Sequence, residues 1–133
     1  GSAGDRAGKM CSHVPAPLIG LTDGGRSARW AVREGRGAVE SGIILGPGFA
    51  TSLVPLAERE GAARMVGAMY HAGSRAQVGP MASVAGAIAE FVGRRLLEQA
   101  SEVVVENGGD VFLCTGPART VAVSAGRSPA ERR

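Results

Sequence analysis

The sequence predicts an α+β domain in which helices pack against an antiparallel sheet. Apolar residues recur at spacings of three and four over residues 27–45 and 79–100, which is the period of an amphipathic helix. Over residues 102–125 the period changes to two, which is the alternation of half-buried strands. Because the long helices precede these strands instead of alternating with them, the α+β class is favoured.

Length and composition fit one folded domain. A chain of 133 residues with 44% apolar and 20% charged residues is ordinary for a globular protein. Its 21 glycines are scattered through the apolar segments, which predicts tight turns and close helix packing rather than disorder. We expect a flexible N-terminal tail at residues 1–17, rich in Gly, Ser, Ala and Pro, and a single α+β domain at residues 18–133.

Charge, apolar runs and cysteine content indicate which partners and which cellular location to expect. The net charge is +3 and no basic face interleaved with aromatic residues is evident along the chain, so we expect no nucleic-acid partner. We also expect no membrane partner, because no apolar run approaches the roughly 18 residues of a membrane helix. Cys11 and Cys114 lie far apart and belong to no CxxC pair, which favours unpaired thiols and a cytoplasmic location.

In the first half of the chain we expect a short strand and two helices. The predicted elements are a strand at residues 18–21, a helix at residues 27–45 ended by a GPG turn, and a helix from residue 58 or 60 to about residue 71. Trp30, Gly37 and Ile44 fall on one helical spacing in the first helix. Thr51 and Ser52 either cap a short helical turn within residues 49–56 or face a ligand.

Neither histidine gives a strong signal of chemistry. His71 follows an apolar stripe at an expected helix end, where a histidine stabilised by the helix dipole is commoner than a catalytic base. Cys11 and His13 are close in sequence, but two ligands on an N-terminal tail do not make a closed zinc site. The sequence therefore predicts no metal site and does not identify a catalytic residue.

Residues 79–100 carry the sharpest helix signal. Pro80 occupies the first helical position, where its missing N–H costs nothing. Small residues form a stripe that would let the helix lie close to a sheet or another helix, namely Ala82, Gly86, Ala89 and Gly93. Because a helix start leaves backbone N–H groups unpaired, residues 79–83 either bind an anion or phosphate or form a plain buried start.

Three strands of a meander are predicted from the segments EVVVE, VFLCT and TVAVSA. A tight turn at Gly108 and Gly109 fixes the register of the first hairpin. The predicted cross-strand pairs are Asn107 with Asp110, Val105 with Phe112, Val103 with Cys114, Cys114 with Val121 and Phe112 with Val123. The capping-box pattern at residues 128–131 predicts a helix or turn that begins at Ser128. Either this segment closes the meander as a frayed end, or the fold is incomplete at the C-terminus.

The predicted register has a consequence for the NGGD turn. Asn107 and Asp110 lie at the rim of the apolar face, whereas Glu106 points to the other face. A carboxylate and a carboxamide beside glycines can bind an amide, a ribose or a base edge. Asn, Gly and Asp are also what a hairpin turn requires, so the segment is either a ligand site or a simple turn.

Four segments of the chain together resemble an uncharacterised family of ApbE-like proteins, the relatives of the FAD:protein FMN transferases. The segments are FATSLVPL, VGPMASVAGAIAEFVGRRLL, VVVENGGDVFL and RTVAVSAGRSPAERR, and they cover about two-thirds of the chain. The resemblance implies an ApbE-like fold and part of a site for FAD or a related dinucleotide. By similarity, the cofactor-binding residues are Gly79, Pro80, Met81, Ala82, Ser83, Asn107, Gly108, Gly109 and Asp110.

The chain also departs from the pattern of the transferases. They carry a lysine in the glycine-rich helical motif, whereas residues 84–90 contain none. Their C-terminal part, which supplies magnesium ligands and catalytic contacts, has no counterpart in these 133 residues. The resemblance therefore implies dinucleotide binding, with magnesium-dependent transfer of FMN from FAD to an acceptor protein only in a complete form. The alternative is a non-catalytic structural protein that assembles as a homo-oligomer.

Overall fold

The computed structural model describes residues 10–15 and 25–120, which form a small α+β arrangement as predicted. Its strands are β1 (Met10–Pro15), β2 (Val103–Asn107) and β3 (Asp110–Thr115). Its helices are α1 (Gly25–Leu45), α2 (Arg64–Ala76) and α3 (Val84–Leu96), and a short 3-10 helix at Pro80–Ser83 leads into α3. Within the described ranges, no helix is both long enough and apolar enough to cross a membrane.

The β2–β3 hairpin has the predicted register. Its pairs are Asn107 with Asp110, Val105 with Phe112 and Val103 with Cys114. The two turn residues have positive φ angles, 60° at Gly108 and 97° at Gly109, which is the type I′ geometry that matches the twist of two short strands. The prediction is confirmed because turn chemistry and the period of two select the same register.

The other edge of β3 differs from the prediction. The sheet has the order β1-β3-β2, and β1 places Cys11 opposite Cys114 and His13 opposite Phe112, where the predicted partners were Val121 and Val123. Residues 10–15 are therefore a strand within the segment predicted as a tail, because pairing with β3 gives their backbone groups hydrogen-bond partners. The predicted strand at 18–21, residues 121–125 and the helix start at Ser128 lie outside the described residues.

The predicted unpaired thiols are wrong for Cys114. This residue is disulfide-bonded and only 2% exposed. The chain has one other cysteine, Cys11, whose backbone is opposite Cys114 in the register. The sequence did not predict that the two cysteines are close, because they are far apart in the chain and only the pairing of β1 with β3 brings them together.

α1 forms where the sequence predicted it, and its buried face does not include Trp30 or Ile44. Small residues make that face, namely Ala28, Ala31, Gly35, Val39 and Gly42. Trp30 is 68% exposed and Ile44 is 86% exposed, so the spacing through these two residues marks the solvent side. The physical reason is close helix packing, since an ideal Cβ on Gly35 would lie 3.2 Å from the Cδ1 atom of Phe91 on α3.

α2 begins and ends later than predicted. Gly61 has a φ of 81°, a conformation that a helix cannot contain, and α2 starts only at Arg64. At the other end, Gln77 adopts the left-handed conformation and its N–H bonds back to the last turn. His71 is therefore an exposed residue inside α2, and the prediction that it marks a helix end is wrong.

Two clusters of buried side chains lie on either side of α3. The first joins α1 and α3 to the predicted apolar face of the hairpin, with Ala28, Ala31, Ala89, Val92, Val103, Val105, Phe112 and Cys114. The second joins α1 to α2, with Val39, Phe49, Val66, Met69 and Tyr70. The close approach predicted from the small-residue stripe is confirmed, because a Cβ on Gly93 would overlap the Phe112 ring.

Candidate functional site at the hairpin turn

The two segments assigned to one site by the sequence lie together at the start of α3. The Asn107 Nδ2 atom donates a hydrogen bond to the Ala85 carbonyl oxygen, with a donor–acceptor distance of 3.1 Å. Ala85 lies in the first turn of α3 and closely follows Ser83. This bond holds the NGGD turn against the first turn of the helix.

The hairpin turn exposes its backbone on one side. An ideal Cβ on Gly108 or Gly109 would meet no atom of the described chain within 4 Å, so a ligand could approach the backbone closely. Glu106, which the sequence predicted to point away from Asn107, is exposed and accepts a hydrogen bond from the Gly109 N–H at 2.8 Å. This capping role was not predicted, although a glutamate three residues before the second turn glycine was the available signal.

Asp110 provides the carboxylate on the apolar side of the turn. It begins β3 and is partly buried. Among the described residues, no hydrogen-bond donor or cation contacts its side-chain oxygens. Asp110 is therefore available to accept a hydrogen bond from a ligand hydroxyl or amine.

The helix start at residues 79–83 contributes packing rather than an open anion site. Gly79 and Pro80 are buried, and a Cβ on Gly79 would overlap the Ser52 carbonyl oxygen. The Ala82 N–H donates to the Gly79 carbonyl oxygen at 3.2 Å, and the Ser83 hydroxyl donates to the Pro80 carbonyl oxygen at 3.0 Å. These internal bonds leave few donors in this segment for a phosphate.

Met81 and Ala82 complete this segment with different exposures. Met81 is partly buried and packs against the cluster that contains Tyr70, whereas Ala82 is exposed. The predicted cofactor residues therefore divide into two groups. Gly79 and Pro80 are buried, whereas Met81 and Ser83 are partly buried and Ala82 is exposed.

Other sequence candidates have structural explanations. The Ser52 hydroxyl donates to the Val54 carbonyl oxygen at 2.7 Å and accepts from the Val54 N–H at 3.2 Å, so it stabilises its own turn. In the described part of the chain, no group of three or more His, Cys, Asp or Glu residues could hold a metal ion.

A surface groove lies at the opposite end of α3. It has a volume of about 340 Å³ and runs between the start of α1 and the end of α3. Its lining includes Arg26, Trp30, Glu34, Arg95, Glu98 and Gln99. No local pattern predicted this groove, because its two walls are far apart along the chain.

Relatives of this chain are UPF0280 proteins of methanogenic archaea. The protein from Methanococcus aeolicus is 38% identical over 103 residues, which cover 77% of this chain and 42% of the relative. The protein from Methanothrix thermoacetophila is 38% identical over 104 residues, with coverages of 77% and 44%. The protein from Methanocaldococcus jannaschii is 37% identical over 113 residues, with coverages of 84% and 46%. The chain thus spans less than half the length of these relatives.

The chain also matches the model of a protein family. The model described as "AbpE bacteria" matches residues 13–133, a range that includes the helix start, the hairpin and the groove. The predicted resemblance to an uncharacterised family is consistent with this match and with the UPF0280 relatives. The chain therefore belongs to the bacterial AbpE family.

Proposed function

We propose that the hairpin turn is part of a binding site for a flavin or a related dinucleotide. The observation that carries the proposal is the position of Asp110, a carboxylate with no partner among the described residues. It lies beside two glycines with open space over their backbone. Asn107 holds this turn on the first turn of α3, which fixes the carboxylate relative to the helix.

In this proposal the turn binds a polar edge of the ligand. A ribose hydroxyl or a ring N–H would donate a hydrogen bond to Asp110, while Gly108 and Gly109 let the ligand lie close to the backbone. Because Asn107 already donates to Ala85, its amide positions the turn, and its oxygen is the atom that could contact a ligand. Glu106 would have to move for the Gly109 N–H to bind the ligand.

The diphosphate of a dinucleotide fits the helix start poorly. Internal hydrogen bonds use the Ala82 N–H and the Ser83 hydroxyl, and none of residues 79–83 or 107–110 is a cation. The expected role of Gly79, Pro80 and Met81 as phosphate ligands is therefore replaced in the proposal by a supporting role. Groups elsewhere in the longer proteins of the family would hold the phosphates, and magnesium-dependent FMN transfer belongs to the proposal for those longer proteins.

Thermal unfolding with and without FAD tests this proposal. A ligand at 100 times its Kd stabilises the folded state by about 2.7 kcal/mol, so saturating FAD should raise the Tm of the chain. Asp110→Ala should reduce that shift without lowering the Tm of the ligand-free protein, because the carboxylate has no partner to lose. Glu60→Ala removes an exposed carboxylate elsewhere and should leave the shift unchanged.

Two results would contradict the proposal. One is the absence of any FAD-dependent shift, measured both with and without magnesium. The other is an equal shift in Asp110→Ala and the unaltered chain, which would place FAD at another surface. The expected homo-oligomer stays a prediction, consistent with the exposed apolar residues Ile44, Leu53 and Val54, and light scattering can check it.

A further inference from the structure

Four arginines form a row along the solvent face of α1. Arg26, Arg29, Arg33 and Arg36 are all exposed, and their spacings of three, four and three residues bring them to one side of a helix. At a rise of about 1.5 Å per residue the row is about 15 Å long. The buried side of α1, which includes Ala31, lies opposite the row.

Part of the positive charge of this row has no ion-pair partner among the described residues. The ion pairs among the described residues involve Arg94, Arg95 and Arg119, and in those ranges no carboxylate pairs with Arg33 or Arg36. The first turn of α1 contains no acidic residue, so the positive end of the helix dipole adds to the field. Like charges three and four residues apart destabilise a helix slightly, and a bound anion would relieve that repulsion.

A stacking surface lies beside the row. Trp30 is 68% exposed and lines the groove of about 340 Å³ together with Arg26. Glu34 also lines the groove, but it is paired with Arg95, so its charge is largely neutralised. The indole face is thus open to a planar group next to a line of cations.

We propose that this face of α1 binds single-stranded nucleic acid. The arginines would contact successive phosphates, since a guanidinium matches a phosphate with two parallel hydrogen bonds. One unpaired base would stack on Trp30 in the groove, the arrangement by which aromatic side chains bind single strands. This proposal is independent of the flavin proposal, because the groove and the hairpin turn lie at opposite ends of α3.

Two other anionic partners explain less of the geometry. A helix that binds a membrane surface must bury its apolar face in the lipid, whereas the apolar face of α1 is buried in the protein core. An acidic polypeptide would satisfy the arginines but would leave the exposed Trp30 without a role. No nucleic-acid partner was expected from the sequence because no basic face interleaved with aromatic residues is evident along the chain. The winding of the helix gathers these arginines on one side, next to Trp30.

Binding of a labelled oligo(dT) of about 15 nucleotides, followed by fluorescence anisotropy, tests the proposal. With three to four phosphate contacts the slope of log K against log salt should be about −2 to −3. Trp30 is the sole tryptophan of the chain, so quenching of the protein's intrinsic tryptophan emission reports stacking directly. A duplex of the same length should bind more weakly, because its bases are not free to stack.

Variants of the arginines and of Trp30 test which side chains contact the oligonucleotide. The double variant Arg33→Ala/Arg36→Ala should make the salt slope shallower by about 1.4, and both changes favour the helix. The control Arg64→Ala/Arg75→Ala removes two exposed arginines of α2 and should bind as the unaltered chain does. Trp30→Ala should weaken binding by about 5-fold or more, and Trp30→Phe should restore most of it.

Three outcomes would overturn the proposal. Equal losses in the α1 and α2 double variants would indicate general charge attraction. Tighter binding to vesicles of anionic phospholipid or to polyglutamate than to oligo(dT) would indicate a different class of partner. An unchanged tryptophan emission at saturating oligo(dT) would remove the stacking contact on which the choice of nucleic acid rests.

Discussion

Glycines on α3 and glycines in the hairpin turn are needed for opposite reasons. A Cβ on Gly93 would overlap the buried ring of Phe112, so this glycine is needed for space. Gly108 and Gly109 have open space around them and positive φ angles of 60° and 97°, so these glycines are needed for backbone conformation. The glycine on α3 allows close packing, whereas the glycines of the turn leave the backbone accessible to a ligand.

The space around each glycine distinguishes the helix start, which packs the fold, from the hairpin turn, which is the candidate ligand site. By resemblance, the helix start and the turn were expected to be two parts of one ligand site. Gly79 is like Gly93, because the Ser52 carbonyl oxygen occupies the space where a Cβ would lie. A glycine next to a proposed site therefore supports ligand access only when its surroundings are open.

Gly93→Ala should have the largest effect on stability. Overpacking a core costs about 1 to 3 kcal/mol, and alanine recovers about 1 kcal/mol of helix propensity. Because Phe112 is only 1% exposed and cannot move aside freely, we expect a cost at the upper end of this range, about 3 kcal/mol. The net loss in the free energy of unfolding, measured by urea denaturation, should then be about 2 kcal/mol.

A control and a double variant sharpen this test. Gly37→Ala in α1 meets no atom within 4 Å and should stabilise the chain by about 0.5 to 1 kcal/mol. Gly93→Ala combined with Phe112→Leu should lose less than the sum of the single changes. A Gly93→Ala protein as stable as the Gly37→Ala protein would contradict the close contact between α3 and β3.

Gly109→Ala should have an intermediate effect. Its φ of 97° is strained for a residue with a Cβ, which costs about 1 to 2 kcal/mol. Gly108→Asn is the matched change, because asparagine followed by glycine is a preferred type I′ turn, and we expect a change of only a few tenths of a kcal/mol. Urea denaturation measures both, and equal losses would argue against the type I′ assignment.

Asn107→Ala should destabilise the chain less than Gly93→Ala or Gly109→Ala does, and it should have a separate effect on ligand binding. It removes the 3.1 Å hydrogen bond to Ala85, which is worth about 0.5 to 1.5 kcal/mol. Because the turn would then be held less firmly against α3, any FAD-dependent rise in Tm should also decrease. Loss of the FAD effect with unchanged stability would show that Asn107 contacts the ligand instead of positioning the turn.

The hairpin could be predicted in detail because its determinants are local. Two glycines fix the turn, and the alternation of Val103 and Val105 fixes which face is buried, so the register follows without knowledge of the rest of the fold. A close approach of this helix face to a sheet or to another helix was also predicted, from a stripe of small residues that includes Gly93. In each case neighbouring residues carry the whole signal.

Other features depend on segments that are distant in sequence. The pairing of β1 with β3 joins residues 10–15 to residues 110–115, and no local pattern marks β1 as a strand. The direction of Trp30 could not be predicted because an exposed aromatic and a buried one have the same helical spacing. The small side chains of Ala28 and Ala31 were the buried ones, and only the position of α3 shows this.

By itself the sequence determined the α+β class, the existence of the helices and the complete register of the β2–β3 hairpin, because these follow from local periodicity and turn chemistry. Tertiary structure alone decided what surrounds each glycine, which side of α1 faces solvent and that Cys114 is disulfide-bonded. The physical reason is that a side chain's role depends on what occupies the space beside it. Here that space is filled by residues tens of positions away in the chain.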